Sequence, residues 1–211
     1  MVVEKGLLHG DGDFRGGECQ VILNQCDIVV TNPPFSLFSD FLQMLFDGDK
    51  RFLVIGDRNA STKDFLFRKL LAGKVSFGYG FDRGAAYFKV PPDLREYYPG
   101  VYKEETGLVR FRTCVWYTNL EVQDRDPLLL CDRYDPSVYP AYLDYDAINV
   151  DQLVHIPKDY FGVIGVPVTF LDHWCKSQFR LLDAGDFARD PGRRGPGIAS
   201  PSVPGRKVYR R

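Results

Sequence analysis

The segment Cys26-Asp27-Ile28-Val29-Val30-Thr31-Asn32-Pro33-Pro34-Phe35 limits the fold more than any other part of this chain. Ile28 to Thr31 are apolar or β-branched throughout, which predicts a strand covered on both faces. The two prolines that follow cannot donate to a ladder, so strand pairing has to stop there. Asn32 and Pro33 each precede a proline and are biased towards extended conformations. The resulting loop presents acceptors: the Asn32 side-chain oxygen and free main-chain carbonyls. Beyond it, Leu37, Phe38, Phe41, Leu42 and Leu45 recur at helical spacing, with Ser36 as the predicted N-cap and Gly48 as the stop. Strand, loop and helix in that order put the loop at the carboxyl end of a parallel strand, where open α/β sheets bind ligands. The alternative reading is a Pro-rich turn after a core strand, with no chemistry attached.

Acceptors placed this way suit amino-group methylation. An exocyclic amino group on a nucleobase is a poor nucleophile because its lone pair is delocalised into the ring. Two acceptors that take its two N–H bonds draw the nitrogen towards tetrahedral geometry and expose that lone pair, so no general base with a shifted pKa is required. Phe35 offers a flat apolar face on which a base taken out of the helix can stack. Three further stretches belong with this block: Phe52-Leu53-Val54-Ile55-Gly56 with Asn59-Ala60, Tyr145-Asp146-Ala147-Ile148-Asn149-Val150, and Gly162-Val163-Ile164-Gly165-Val166-Pro167-Val168-Thr169-Phe170-Leu171. Together they resemble the DNA adenine-N6 methyltransferases, and more closely the EcoRI-type modification methylases of restriction-modification systems, over most of residues 11–182. The Asn-Pro-Pro-aromatic loop alone is shared with enzymes that methylate cytosine N4, RNA bases or protein glutamine. The wider match narrows the expectation to DNA adenine. The resemblance implies S-adenosyl-L-methionine as methyl donor, double-stranded DNA as partner, Asn32 and Pro33 as amino-group acceptors, Pro34 as the shaper of the loop and Phe35 as the stacking platform.

The same family carries a glycine-rich loop after its first strand and an acidic residue after its second, both ahead of the catalytic loop. Here 31 residues precede Asn32. Gly12-Asp13-Phe14-Arg15 is similar to the family's Asp-Phe element, which implies Asp13 as acceptor for the cofactor's adenine amino group and Phe14 as a ring on its face. A Gly-Asp-Gly-Asp turn before the strand is the competing reading. Asp159-Tyr160-Phe161-Gly162-Val163-Ile164-Gly165 suggests a permuted glycine loop, but its glycines are three apart rather than two and it lacks the proline. Gly78-Tyr79-Gly80 followed by Gly84 is one residue off a dinucleotide fingerprint and reads as a loop. The expected fold is therefore α/β, a partial Rossmann-like methyltransferase sheet with its N-terminal strands missing, followed by a β-rich target-recognition region. Such a sheet exposes an unpaired edge. The expectation accordingly includes a complementing N-terminal fragment, a monomer when complete, and poor cofactor binding by the isolated chain.

Elsewhere the alternation continues. Arg51 to Ile55 predicts a strand, Ser61 with Asp64 a capping box for a helix through Phe65, Leu66, Lys69 and Leu70, and Val75 to Tyr79 a further strand. This order implies a parallel sheet. Phe81 to Glu105 is aromatic, basic and Pro-rich and reads as a long loop beside the site, suited either to DNA contact or to packing on itself. Leu108 to Leu120 reads as one strand, and Leu128 to Leu182 as short strands with turns. The domain reading is 1–120 catalytic core, 121–188 sheet completion and target recognition, and 189–211 a basic, irregular Pro/Gly-rich tail.

The chain has 211 residues, 45% of them hydrophobic and 26% charged, which fits one globular domain with an appendage. No apolar run approaches the ~18 residues of a membrane span, and the N-terminus lacks a secretory pattern, so a cytoplasmic protein is expected. Cys19, Cys26, Cys114, Cys131 and Cys175 show no paired spacing and read as free thiols. His9, His155 and His173 are too sparse for a zinc site, so no metal is assigned. A carboxylate cluster of Asp144, Asp146 and Asp151 leaves a nuclease reading open, although turn-forming aspartates look the same. The net charge of −1 is low for a DNA-binding protein, but from Arg189 onward seven basic residues face one acid. A catalytically inactive DNA-binding remnant is the rival reading to the enzyme.

Overall fold

The structure, a computed structural model, describes residues 6–81, 86–97, 102–111, 113–142, 146–183 and 198–201. Helix α1 (Gly17–Gln25) leads into strand β1 (Ile28–Thr31), helix α2 (Phe38–Asp47), strand β2 (Arg51–Asp57), helix α3 (Asp64–Leu71) and the short strand β3 (Ser76–Phe77). Strands β4 (Ala86–Lys89), β5 (Tyr102–Lys103) and β6 (Leu108–Phe111) then precede β7 (Cys114–Thr118). Downstream lie β8 (Ala147–Asn149), β9 (Val163–Gly165), β10 (Phe179–Asp183) and β11 (Ile198–Pro201).

β1 and β2 are parallel, in register from Ile28 opposite Arg51 to Thr31 opposite Val54. β7 enters antiparallel beside β2 and pairs antiparallel with β3, giving the order β1-β2-β7-β3. β1, β2 and β3 therefore point the same way, and their carboxyl ends share one end of the sheet. The parallel pair expected from the alternation is present, but the neighbour of β2 on its other side is β7 rather than β3. A second correction concerns β1. Val30 is 64% exposed and Ile28 40%, because β1 is an edge strand, paired with β2 alone among the described residues.

The helices bury the faces their spacing dictates. Phe38, Phe41, Leu42 and Leu45 of α2 are buried, at intervals of three and four residues that form one stripe. They join a core with Phe52 and Val54 of β2, Leu66 and Leu70 of α3, and Tyr117 of β7. Each such side chain contributes roughly 1.5–3 kcal/mol on burial. Neither predicted cap is made. The Pro34 carbonyl accepts from Leu37 N at 3.0 Å, so Phe35–Leu37 forms a 3₁₀ turn and α2 begins at Phe38, one residue later than an N-cap at Ser36 would have it. Ser61 lies inside the 3₁₀ turn Arg58–Thr62 and donates to the Arg58 carbonyl, while α3 starts after Lys63 with no side-chain cap. Helix α1 escapes sequence reading because Val21, Ile22 and Leu23 are consecutive rather than periodic, and only Leu23 is buried.

The stretch predicted as a long loop beside the site is instead a small antiparallel sheet, β4-β6-β5. The single strand expected over Leu108 to Leu120 is two, β6 in this sheet and β7 in the main one. Further along, β8 and β9 are parallel and β11 inserts antiparallel between β9 and β10, in the order β10-β11-β9-β8. Residues 198–201 thus form a strand within a tail expected to be irregular; the rest of that tail lies outside the described residues. Gly162 and Gly165, which suggested a permuted glycine loop, instead lie directly under the rings of Tyr160 and Tyr142, where any Cβ would collide. Ile148, Ile164, Phe170 and Phe179 join this half to the core around α2 and β2.

Two contacts hold the carboxyl end of β2. Gly56 faces α2, and a Cβ there would run into the Phe38 ring. That ring lies 5.0 Å from Tyr117, whose hydroxyl donates to the Asp57 carbonyl at 2.8 Å and the Arg58 carbonyl at 3.2 Å. Arg58 is buried, and its guanidinium grips Asp172 with two bonds, NH2 to Oδ2 at 2.9 Å and Nε to Oδ1 at 3.2 Å. Burial pushes the Asp172 carboxyl up, against the pull of Arg58. Gly56→Ala is expected to cost about 1–3 kcal/mol by overpacking, read as a lower denaturation midpoint, with Phe38→Leu in the same chain recovering part of the loss. Asp172→Asn takes the carboxylate away from a buried guanidinium and is expected to lower the denaturation midpoint, a cost of up to about 3–5 kcal/mol in the same measurement.

Candidate active site

The loop that follows β1 meets the sheet where sequence reasoning put it. β1 ends at Thr31, and Asn32, Pro33 and Pro34 cross the carboxyl end of the parallel pair before Phe35–Leu37 turns into α2. Pro33 is buried, while Asn32, Pro34 and Phe35 are exposed. Within the loop, Leu37 N takes the Pro34 carbonyl. Among the described residues, the Asn32 side chain and the Pro33 carbonyl have no hydrogen-bond partner, and the Phe35 ring has no aromatic partner. Two unspent acceptors and one bare ring therefore share one short segment. The loop is held from below, since Phe38, the first residue of α2, is the ring seated on Gly56.

Phe14 packs on the same helix, with Asp13 beside it in the chain. The Phe14 ring meets Phe41 edge-on at 5.1 Å, and Gln20 Nε2 donates to the Phe14 carbonyl at 2.8 Å. Asp13 accepts from the Arg15 backbone at 2.9 Å and from Arg15 Nε and NH2 at 3.0 and 2.8 Å. Asp11 Oδ1 in turn accepts from Asp13 N. These are the bonds of a turn, the competing reading of Gly12-Asp13-Phe14-Arg15. The side-chain bonds from Arg15 lower the Asp13 carboxyl to about 2. Asp40, in the first turn of α2, adds to the field on Arg15 after Asp13. Asp13 is an acceptor with 35% of its side chain exposed, and the Phe14 ring beside it has the Arg15 guanidinium over it at 5.4 Å.

A cleft of about 350 Å³ opens at the same end of the sheet, where β3 leaves and β7 begins. Phe81 stacks on Trp116 with ring centroids 5.6 Å apart and planes within 6°. The Arg125 guanidinium covers Tyr79 at 3.6 Å and donates to the Phe77 and Gly78 carbonyls. Phe81 has a φ of 59°, a conformation that costs a bulky residue energy and is found where surrounding contacts demand it. Gly78 lies against Trp116, where a Cβ would meet the Trp116 Cβ at 2.9 Å. Asp126 and Asp172 supply acceptors to the wall. Trp116, Arg125 and Asp172 carry no local sequence signal, because Gly78 and Gly80 come to lie against Trp116 only through the pairing of β3 with β7.

Among the described residues no group of His, Cys, Asp and Glu could hold a metal ion, and no helix is long and apolar enough to cross a membrane. His155 pairs with Asp132 instead, and Asn149 donates to Asp151. All five cysteines are free; Cys114 and Cys175 are buried, whereas Cys131 is exposed.

Residues 2–194 match the protein family described as adenine-specific methyltransferase EcoRI. Type II methyltransferase M.EcoRI of Escherichia coli is 42% identical over 178 residues, covering 82% of this chain and 55% of that protein. M.MgeORF184P of Mycoplasma genitalium is 36% identical, covering 86% of this chain and 59% of its own length. M.MpnI of Mycoplasma pneumoniae is 36% identical, covering 83% and 57%. The match thus spans little more than half the length of these relatives. No solved structure matches. A family match over most of the chain, joined to an Asn-Pro-Pro-Phe loop at the carboxyl end of parallel strands, shows that the chain belongs to the EcoRI-type adenine-specific methyltransferases.

Proposed function

We propose that the chain acts as a site-specific DNA adenine-N6 methyltransferase, with S-adenosyl-L-methionine as donor and an adenine turned out of double-stranded DNA as acceptor. The observation that carries this reading is the pair of unspent acceptors, Asn32 Oδ1 and the Pro33 carbonyl, beside the exposed Phe35 ring. The donor, when bound, supplies an electrophilic methyl group on a sulfonium. Asn32 and Pro33 each accept one N–H of the N6 amino group, which turns the nitrogen lone pair out of the ring system and towards the methyl group. Phe35 stacks on the extruded base, and Pro34 keeps the chain extended between the acceptors and the ring. The aromatic cleft of Tyr79, Phe81 and Trp116, at the same end of the sheet, supports the idea that planar groups are received there.

Asp13 would accept from the donor's adenine amino group and Phe14 would pack on its face. The four strands β1-β2-β7-β3 are read as part of a Rossmann-like sheet, with further polypeptide, in the same chain or as a complementing N-terminal fragment, covering the open edge of β1. Residues 1–120 then form the catalytic core, and 121–188 complete the fold and read the target, with β11 of the basic segment 189–211 entering their sheet. The complete enzyme works as a monomer in the cytoplasm. Names of type II methyltransferases among the relatives support the DNA substrate.

The test is transfer of labelled methyl groups to unmethylated duplex, with the hydrolysate examined for N6-methyladenine. Asn32→Ala removes one preorganised partner and is expected to lower turnover about a hundredfold or more, ~2.7–4 kcal/mol of transition-state stabilisation. A variant that methylates at the normal rate would remove the role given to Asn32. Asp13→Asn is expected to weaken donor binding about tenfold, the worth of a hydrogen bond to a charged group. Arg15 holds the Asp13 carboxyl at about 2, below its ordinary 3.8. That contribution is therefore complete above 3.8 and lost only as pH falls towards 2, and calorimetry at successive pH values reads it.

A further inference from the structure

The small sheet β4-β6-β5 has two unlike faces. On one, Phe88, Tyr102, Val109 and Phe111 point together; Val109 is fully buried and Phe88 meets Phe111 edge-on at 5.5 Å. On the other, the register puts Tyr87 opposite Arg110, Lys89 opposite Leu108, and Lys103 opposite Leu108 from the far side. Side chains alternate along a strand, so these cations share one surface around one exposed tyrosine. Arg110 Cζ lies 5.9 Å and Lys103 Nζ 6.0 Å from the Tyr87 ring centroid.

None of the three cations has an anionic partner among the described residues. The neighbouring acids Glu104 and Glu105 sit in the turn over residues 104–107 and pair with none of them. Arg110 Nε is a buried donor with no acceptor. A guanidinium beside two exposed ammonium groups suits a phosphate, which presents oxygens to a guanidinium in the matching geometry. The sheet's place in the chain supplies the rest. It is inserted between β3 and β7, and β6 ends three residues before Cys114, which pairs with Asp57 at the carboxyl end of β2. It therefore hangs from the end of the main sheet that carries the Asn32 to Phe35 loop.

We propose that the outer face of β4-β6-β5, with Lys89, Lys103 and Arg110 around Tyr87, is a docking surface for the phosphate backbone of the DNA duplex. This rests on the reading of the chain as a DNA methyltransferase. The surface positions the duplex and carries no sequence information, because phosphates are alike at every base pair. It also answers the low net charge, since neutralisation is concentrated on one face rather than spread over the molecule.

The experiment is binding of the 211-residue chain to a fluorescent duplex, followed from 50 to 200 mM salt. Lys89→Ala/Lys103→Ala removes two exposed cations without touching the buried face. The slope of log affinity against log salt is expected to become shallower by about 1.8, so that the wild type loses about tenfold more affinity than the variant across that range. Discrimination between duplexes of different sequence is expected to stay unchanged, as is binding by Lys74→Ala, a control at the opposite end of the main sheet. If the double variant keeps the wild-type slope and affinity while the wild type binds and methylates DNA, the surface is wrong and the methyltransferase reading stands. A shallower slope in a chain that transfers no methyl group supports the surface, since backbone docking needs no methyl donor. A chain that does not bind duplex even at 50 mM salt overturns the surface.

Discussion

The placement of the two acceptors depends on the contact between the Phe38 ring and the bare backbone of Gly56. The loop cannot orient itself. Its backbone hydrogen bonds are local, from Leu37 to Pro34 and from Phe38 to Phe35, and its prolines fix local angles but not its tilt over the sheet. Orientation comes from α2, whose first residue is driven into β2 at the position where a side chain is missing. Tyr117 closes the arrangement by packing on Phe38 and donating to the carbonyls of Asp57 and Arg58. Burial pushes the Tyr117 phenol well up, so it remains a donor under all ordinary conditions. The Arg58–Asp172 pair carries the same support across to the downstream half. A buried pair of this sort is weak grounds for stability in itself. Here it makes the end of β2 and the turn Val168–Asp172 one mechanical unit.

The fold was legible where a single period dominated. The Ile28 to Thr31 run, the 3-4 spacing in α2 and α3, and the apolar run from Phe52 to Ile55 each predicted the element that forms. What escaped was information about neighbours. Nothing in Ile28-Val29-Val30-Thr31 tells an edge strand from a central one, because exposure is decided by the strand order. Ser36 and Ser61 have the right side chains for caps, yet the prolines ahead of one and the Asp57 carboxylate bonding Asn59 ahead of the other favour 3₁₀ turns. The acceptors Asn32 and Pro33 could be read because chemistry and loop geometry are written in the same four residues. Trp116, Arg125 and Asp172 could not, because they become neighbours only through tertiary pairing.

The residues from 81 to 111 show why composition misled. Aromatic and basic residues mixed with Pro91, Pro92 and Pro99 suggested a long loop. Pairing with β6 sorts the same residues into an apolar side and a cationic side. A net charge of −1 then says little about what the molecule presents locally.

The edge position of β1 has a consequence for motion. A strand hydrogen-bonded on one side opens with less free energy than one flanked on both, so amide exchange in β1 would run ahead of that in β2. The acceptor loop is thus suspended from an edge strand, less protected than β2 beside it. Whatever pairs with that strand would slow its breathing and, without touching either acceptor, lengthen the time they spend correctly aimed.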